Sequence, residues 1–190
     1  EAFLVRRHVE HSLEILQATS GMRPKVIEMV AAHHERHDGS GYPRGLRGND
    51  IPILGRIIGL VDSYDAMTSK RPYAQVRSPH QAVAELYQQR DTKFQRELVE
   101  QFIQTCGIYP TGSLVELSDG RVGVVTAVQS LRRLRPRVML LMDGNKRALK
   151  QFNSIDLAEV ELDDAGEPLS VRNSLPIGAY GIDPEELFLT

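Results

Sequence analysis

The chain has 190 residues, of which 41% are hydrophobic, 25% charged and 6% aromatic, a composition that excludes wholesale disorder and a fibrous repeat. With 23 Lys and Arg against 25 Asp and Glu, its net charge is −2, so no global basic field would hold a nucleic acid polymer. The single cysteine, Cys106, excludes an internal disulfide and favours the reducing cytoplasm. No apolar run approaches the roughly 20 residues that a membrane helix needs.

The first 107 residues have the spacing of helices. Apolar residues recur every three to four positions, and proline, glycine and serine interrupt the pattern at intervals. We expect five helices, which run over Ala2–Thr19, from Pro24 to about His37, from near Pro52 to about Ser69, from Pro79 to about Gln88, and from about Phe94 to Cys106.

The remaining sequence has the pattern of strands. Residues 108–112 read as a linker, and Leu114–Leu117 is followed by the turn Asp119-Gly120 and a second apolar run, which is typical of a hairpin. A further strand is expected over Val138–Met142. We therefore predict an α+β protein, with an all-α helical domain at 1–107 and a small β-rich domain at 113–190 that is SH3-like or barrel-like.

Five of the six histidines lie within the first 37 residues of the helical half. Imidazole without thiolate suits Mn, Fe, Ni or Zn, and an adjacent pair is harder to dismiss than a lone surface histidine. Neighbouring positions on a helix point about 100° apart. His33 and His34 are therefore expected to serve two nearby metals, or one metal and one phosphate, rather than to chelate one ion. The five are His8, His11, His33, His34 and His37.

The third helix supplies carboxylates. Asp62 and Asp65 are three residues apart and share a face, while the small residues Gly55 and Gly59 would let a neighbouring backbone or a bound group come close. An aspartate within this apolar helix needs a cation. Asp62 is thus either a metal ligand or a buried partner of Arg56 or of a histidine.

Basic and aromatic residues surround these carboxylates. Lys70 and Arg71 could grip a phosphate, and Tyr42 or Tyr73 could stack on a base; the alternative for the two cations is a solvated helix end. Four arginines of the C-terminal half are interpreted as solvated hairpin charges or as a docking patch. They are Arg132, Arg133, Arg135 and Arg137.

Two motifs make the sequence resemble a known family. The run HHERHDGSGYP, residues 33–43, and the run DSYDAMTSKRPY, residues 62–73, are similar to the HHExxDGxGYP and DxxDAxTxxRPY patterns of the HD-GYP family. That family is a branch of the HD metal-dependent phosphohydrolases that hydrolyses the bacterial second messenger cyclic di-GMP. The resemblance covers residues 1 to about 107.

The resemblance implies a role for each matching residue. The metal ligands would be His8, His33, His34 and Asp62, and of these His33, His34 and Asp62 would be catalytic. Tyr42, Asp65, Lys70 and Arg71 would bind substrate, with Tyr42 lining the opening or contacting partner proteins. The implied cofactors are two or three divalent ions of Fe, Mn, Ni or Zn in the full-length protein.

The implied reaction is metal-assisted attack of water on a phosphodiester, which converts cyclic di-GMP to pGpG, GMP or both. The implied partners are cyclic di-GMP, GGDEF-domain proteins that dock on the GYP loop, and a second copy in a homodimer. The alternative is a catalytically impaired signalling module that binds GGDEF-type partners through the same loop.

Three departures from the family pattern affect this expectation. The His-Asp doublet that names the family lies upstream of the first helix in its relatives, and that doublet has no counterpart in the 190 residues, which open at Glu1 in what reads as a helix already under way. We therefore expect a fragment of a longer protein that hydrolyses poorly alone. His37 stands where an aromatic residue is common, and Ala74 stands where Lys or Arg is common.

Overall fold

The computed structural model describes residues 6–69, 76–129 and 131–182. The chain forms two compact units. One runs to Ala66 and takes in Glu85–Gln101, and the other takes in Met67–Ala84 and the chain from Phe102 onward. None of the described helices is long and apolar enough to cross a bilayer.

Five α-helices lie within the described residues, and they confirm the predicted helical half. The third begins one residue after Pro52, as expected for a proline that precedes a helix, and the fourth has the predicted bounds. The helices are α1 His8–Ala18, α2 Pro24–Ala32, α3 Ile53–Thr68, α4 Pro79–Gln88 and α5 Arg96–Cys106.

Helix α2 ends five residues earlier than predicted. After Ala32 the chain makes a turn in which the Glu35 N–H donates to the Ala32 carbonyl over 3.0 Å. The Tyr42 N–H then donates to the His34 carbonyl over 3.2 Å, so the GYP loop folds back onto the end of the helix. The end of α2 therefore lies beside a backbone contact with a residue further along the chain, which helical periodicity does not indicate.

Helices α2 and α3 meet through two glycines. A Cβ built on Gly55 would lie 2.5 Å from the Cβ of Ala32, and one on Gly59 would lie 2.5 Å from the His33 carbonyl oxygen. Real Cβ atoms do not approach other atoms so closely, so only glycine fits at either position. The predicted small-residue stripe of α3 therefore lies against the segment that carries the histidine pair.

The second unit contains a five-stranded antiparallel sheet in the order β4-β3-β2-β1-β5. Strands β1 and β2 pair as the predicted hairpin, with Val115 opposite Gly123. Strands β4 and β5, which the sequence analysis did not delimit, extend the sheet at its two ends. The strands are β1 Leu114–Leu117, β2 Val122–Ala127, β3 Arg137–Met142, β4 Ala148–Asp156 and β5 Val171–Leu175.

An apolar core supports this sheet. Its residues are almost fully buried and come from three strands and from the segments that follow β4. Arg135 was expected to be a solvated charge, and that expectation is wrong, because it is half-buried and donates to the carbonyls of Leu157, Val160 and Leu169. The core residues are Val115, Leu117, Val125, Val138, Leu140, Leu157 and Leu169.

Candidate metal centre

Three histidines converge in the helical unit. His8 is the first residue of α1, and His33 and His34 directly follow α2. The Nε2 atoms of His8 and His33 are 3.4 Å apart, and those of His8 and His34 are 3.0 Å apart. One ligand atom from each of the three lies within 4.8 Å of the others.

The histidine pair does not diverge as a helical pair would. The rings of His33 and His34 have centroids 4.0 Å apart with planes inclined at 40°. The two side chains therefore do not diverge by about 100°, as the sequence predicted, while the number of ions that the pair would serve stays a prediction. The predicted divergence assumed that both residues lie inside a regular helix, whereas His33 caps α2 and His34 lies in the turn beyond it.

The main chain fixes the tautomer of His33. Its Nδ1 lies 2.7 Å from the Val30 carbonyl oxygen, which can only accept a hydrogen bond. Nδ1 must therefore carry a proton, and in the neutral ring Nε2 presents a lone pair to the cluster. This pairing of one ring nitrogen with a backbone carbonyl is what orients a histidine that binds metal through its other nitrogen.

The surroundings of His34 keep its imidazole uncharged. Burial, and next the neighbouring His33, lower the pKa of His34 from 6.5 to about 4, against an opposing effect of Asp62. At neutral pH the His34 imidazole is therefore uncharged. Neutral imidazole is the form that coordinates a metal ion.

Asp62 lies near this cluster without belonging to its tightest group. It is half-buried on α3, and its charge acts on His34, Arg36 and Tyr42. It is not one of the residues whose ligand atoms lie within 4.8 Å of one another. The structure thus brings the three predicted imidazoles together and places the carboxylate beside them, while its role as a ligand stays a prediction.

Tyr42 packs directly against the cluster. Its ring stacks on that of His34 with centroids 4.7 Å apart and planes at 26°, and the Arg6 guanidinium lies 4.9 Å from its ring centre. Burial raises the pKa of the Tyr42 phenol. The sequence indicated a tyrosine near the site but not its stacking on a histidine, because the contact depends on the return of the loop.

A buried carboxylate holds the GYP loop in place. Glu35 is only 4% exposed, and its two oxygens accept from the backbone N–H groups of Arg44, over 2.8 Å, and Leu46, over 2.9 Å. Glu35 was not among the predicted site residues, although its place directly after the histidine pair could have suggested it. Glu35 supports the loop that carries Tyr42.

The remaining predicted residues lie elsewhere or outside the described part of the chain. His11 is exposed, and its Nδ1 lies 3.5 Å from Glu14 Oε2. The backbone N–H of His37 donates to the Lys93 carbonyl. Asp65 is exposed on α3 and stays a predicted substrate-binding residue. Lys70 and Arg71 lie outside the described residues, and their contacts with substrate stay predictions.

The donor set fits a divalent metal ion. Three imidazoles from two helical segments face one another, and the second ring nitrogen of His33 is hydrogen-bonded to a carbonyl. Three histidines and a nearby carboxylate match the nitrogen and oxygen ligands that first-row transition metals prefer.

Curated relatives of the chain are cyclic dinucleotide phosphodiesterases. The chain is 34% identical to cyclic di-GMP phosphodiesterase PA4108 of Pseudomonas aeruginosa, over 81% of the chain and 37% of that protein. It is 40% identical to 3'3'-cGAMP-specific phosphodiesterase 2 of Vibrio cholerae, over 53% of the chain and 20% of that protein. It is 37% identical to the response regulator RpfG of Xanthomonas campestris, a cyclic di-GMP phosphodiesterase, over 60% of the chain and 32% of that protein. The chain thus spans well under half the length of each.

Two family models account for most of the sequence. Residues 1–98 match the HD domain, and residues 114–161 match the KOW domain associated with the HD domain. An HD domain implies the binding of divalent metal, in agreement with the histidine cluster. The resemblance predicted from the two motifs is confirmed, and the chain belongs to the HD domain family.

Proposed function

We propose that this chain is part of a metal-dependent phosphodiesterase that hydrolyses cyclic di-GMP to pGpG, GMP or both. The observation that carries the proposal is the convergence of His8, His33 and His34 on one point. Its substrate class rests on the relatives, several of which are cyclic di-GMP phosphodiesterases.

In this proposal His8, His33 and His34 hold the metal, with Asp62 as the nearby carboxylate ligand. The ions would be two or three in the whole protein, and Fe, Mn, Ni or Zn all suit imidazole and carboxylate. When bound, such ions activate water and polarise the phosphoryl oxygens of a phosphodiester.

The residues of the chain itself contribute position and charge. The Val30 carbonyl orients His33, and the Tyr42 ring orients His34. The guanidinium of Arg6 lies on the Tyr42 ring and adds positive charge beside the cluster, which favours an anionic substrate. The proposed substrate contacts of Asp65, Lys70 and Arg71 come from the family motif.

A second substrate has specific support. Relatives from Vibrio cholerae that are named 3'3'-cGAMP-specific phosphodiesterases are 40% to 45% identical over 69 to 102 residues. The two cyclic dinucleotides share the phosphodiester ring and differ in one base. Base-contacting residues, rather than the metal centre, would therefore decide between them.

The test is a nucleotide assay on the whole protein. The protein is loaded with Mn²⁺ or Fe²⁺ and supplied separately with cyclic di-GMP and with 3'3'-cGAMP, and the linear dinucleotide and mononucleotide products are separated by chromatography. We expect metal-dependent turnover of cyclic di-GMP that is lost in Asp62→Ala and in His34→Ala. The matched control His11→Ala alters an exposed histidine on α1 outside the cluster and should turn over normally.

Three results would count against parts of this proposal. Normal turnover by Asp62→Ala would remove that carboxylate from the mechanism. Hydrolysis of 3'3'-cGAMP alone would keep the reaction and change the substrate. Absence of hydrolysis in a protein that binds metal would favour the alternative, a signalling module without activity.

We also propose that GGDEF-type partners dock on the GYP loop and that the protein forms a homodimer. The exposed tip of the loop carries Arg44, whose backbone N–H supports the loop while its side chain faces solvent. Arg44→Glu is a more specific probe than a change at Tyr42, because Tyr42 contacts the histidine cluster. If Arg44→Glu and the wild type recovered a GGDEF partner equally well, the loop tip would be excluded as the docking surface. Sedimentation of the protein would test for the homodimer separately.

A further inference from the structure

One guanidinium joins the histidine pair to helix α3. Arg36 Nη1 donates to the carbonyl oxygens of His33, over 3.2 Å, and Glu35, over 3.0 Å, while Nη2 donates to Ser63 Oγ over 3.2 Å. The Ser63 hydroxyl in turn donates to the Gly59 carbonyl over 2.7 Å. We call this chain of hydrogen bonds, from His33 and Glu35 through Arg36 to Ser63, the Arg36 clamp.

The clamp connects the two segments that supply the candidate ligands. At one end it grips the backbone of His33, and at the other it holds Ser63, the residue next to Asp62. The same His33 carbonyl also lies against Gly59, where an added Cβ would come within 2.5 Å of it. The backbone of the ligand pair is therefore fixed from two directions.

Arg36 occupies a position that is costly for a cation. It is half-buried, and burial lowers the pKa of its guanidinium, while the nearby Asp62 opposes that effect. Its guanidinium also lies 5.2 Å from the ring centre of Phe94. Burying a charge costs free energy unless its hydrogen bonds and neighbouring charges offset the loss of water.

We propose that Arg36, acting through Ser63, is a positioning residue for the metal centre. It sets the distance between the His33–His34 backbone and helix α3, so that the imidazoles and Asp62 face the same point. This inference rests on the proposed function, since it concerns the same metal. It requires an arginine, because a planar fork serves two carbonyls and a hydroxyl together, whereas an ammonium group offers no such geometry.

The experiment measures metal affinity in the whole protein, with Co²⁺ as the probe followed by its visible absorption. Arg36→Lys keeps the charge and should weaken Co²⁺ binding by about 10-fold to 100-fold, the usual loss when a residue that orients a ligand is changed. Ser63→Ala removes the other end of the clamp and should weaken binding less. The double variant should bind no more weakly than Arg36→Lys, because the two residues act as one unit.

Controls separate positioning from general stability. Arg96→Lys is a matched change at an exposed arginine that pairs with Asp91, and it should leave Co²⁺ affinity unchanged. All titrations are made well below the unfolding temperature of each variant. A purely structural role for Arg36 would lower that temperature and leave the affinity of the folded protein unchanged, which would overturn the proposal.

The remaining outcomes also decide whether Arg36 positions the metal centre. The clamp would be overturned if Arg36→Lys bound Co²⁺ with wild-type affinity, or if the losses of affinity were additive in the double variant. If Arg36→Lys does not fold, the proposal requires that Ser63→Ala alone weaken Co²⁺ binding. If the wild type takes up no Co²⁺, the proposed function fails, and the clamp is tested in metal-free protein by imidazole NMR. The His33 and His34 signals should then shift in Arg36→Lys while that of His11 stays, and unchanged signals would overturn the clamp.

Discussion

The two units each contain a polar cluster, and the two clusters are built in opposite ways. Asp156, at the end of β4 and 8% exposed, accepts hydrogen bonds from the Ala158 N–H at 3.0 Å and from Gln129 and Arg137 at 3.1 Å each. The histidine cluster instead brings three ring nitrogens against one another. The first cluster surrounds a carboxylate with hydrogen-bond donors, whereas the second brings together three ring nitrogens that could hold a cation.

This difference separates a structural polar group from a binding site. Donors around Asp156 offset the loss of water, so the carboxylate stabilises the folded sheet. In the histidine cluster, burial and then the neighbouring His33 instead disfavour the charged form of His34. Residues of a binding site commonly cost stability, and the comparison therefore predicts that substitutions in the two clusters have opposite consequences.

The largest expected effect is on metal affinity, from His8→Ala. Loss of one of three imidazoles should weaken Co²⁺ binding at least about 100-fold, since even residues that only orient a ligand contribute about 10-fold to 100-fold. Because His8 is exposed, the free energy of unfolding of the metal-free protein should change by less than about 0.5 kcal/mol. Competition with a chelating indicator measures the first quantity and urea denaturation the second.

His11→Ala is the control for this substitution. His11 lies on the same helix and is exposed, but it interacts with Glu14 rather than with the cluster. It should retain wild-type affinity for Co²⁺. If His8→Ala and His11→Ala bind the metal equally well, the cluster is not a metal centre, and the contrast between the two units loses its basis.

The second effect concerns stability, from Asp156→Asn. Burial raises the pKa of Asp156, but the hydrogen bonds from Ala158, Arg137 and Gln129 outweigh it and hold that pKa below the ordinary value. The ionised carboxylate thus stabilises the native sheet at neutral pH. Removing its charge should destabilise the sheet by about 1–2 kcal/mol, as for a hydrogen bond to a charged group.

The sign of the pH dependence follows from the lowered pKa. The stabilisation is complete above the unfolded value of about 3.9 and is lost as the pH falls through the lower folded value. The gap between wild type and Asp156→Asn should therefore be constant at neutral pH and close below about pH 4. Hydrogen exchange of the β3 amides measures this difference in stability, and Asp164→Asn, at an exposed aspartate, is the control. A difference that widens in acid would refute the stabilising role of the ionised Asp156.

The two units also differ in how much of them could be predicted from sequence. Helix α3 was placed to within about one residue because Pro52 marks its start and its apolar spacing continues to its end. The β1–β2 hairpin followed from Asp119-Gly120 between two apolar runs. Strand β5 was missed because its partner is β1, more than 50 residues earlier, and it alternates weakly.

Three of the residues that the sequence singled out lie together in the structure, but the sequence did not indicate their geometry. The motif identified His33 and His34, but their proximity depends on where α2 ends, which the returning backbone of Tyr42 determines. Arg36 is one charged residue in a charged loop, so nothing in the local pattern indicates that it reaches Ser63 on another helix. Contacts that depend on tertiary structure were therefore the ones that sequence reasoning missed.

The smallest effect tests whether Tyr42 orients His34 or binds substrate. An aromatic pair contributes about 0.5–1.5 kcal/mol, so Tyr42→Ala should weaken Co²⁺ binding between about twofold and tenfold. Tyr42→Phe keeps the stacking ring and should bind Co²⁺ as the wild type does. A substrate contact through the hydroxyl would instead leave Co²⁺ affinity intact and raise the KM for cyclic di-GMP in Tyr42→Phe. The loss of Co²⁺ affinity in Tyr42→Ala and the rise of KM in Tyr42→Phe together decide whether the ring belongs to the metal centre alone or also to the substrate opening. Only the second role requires the phenol oxygen.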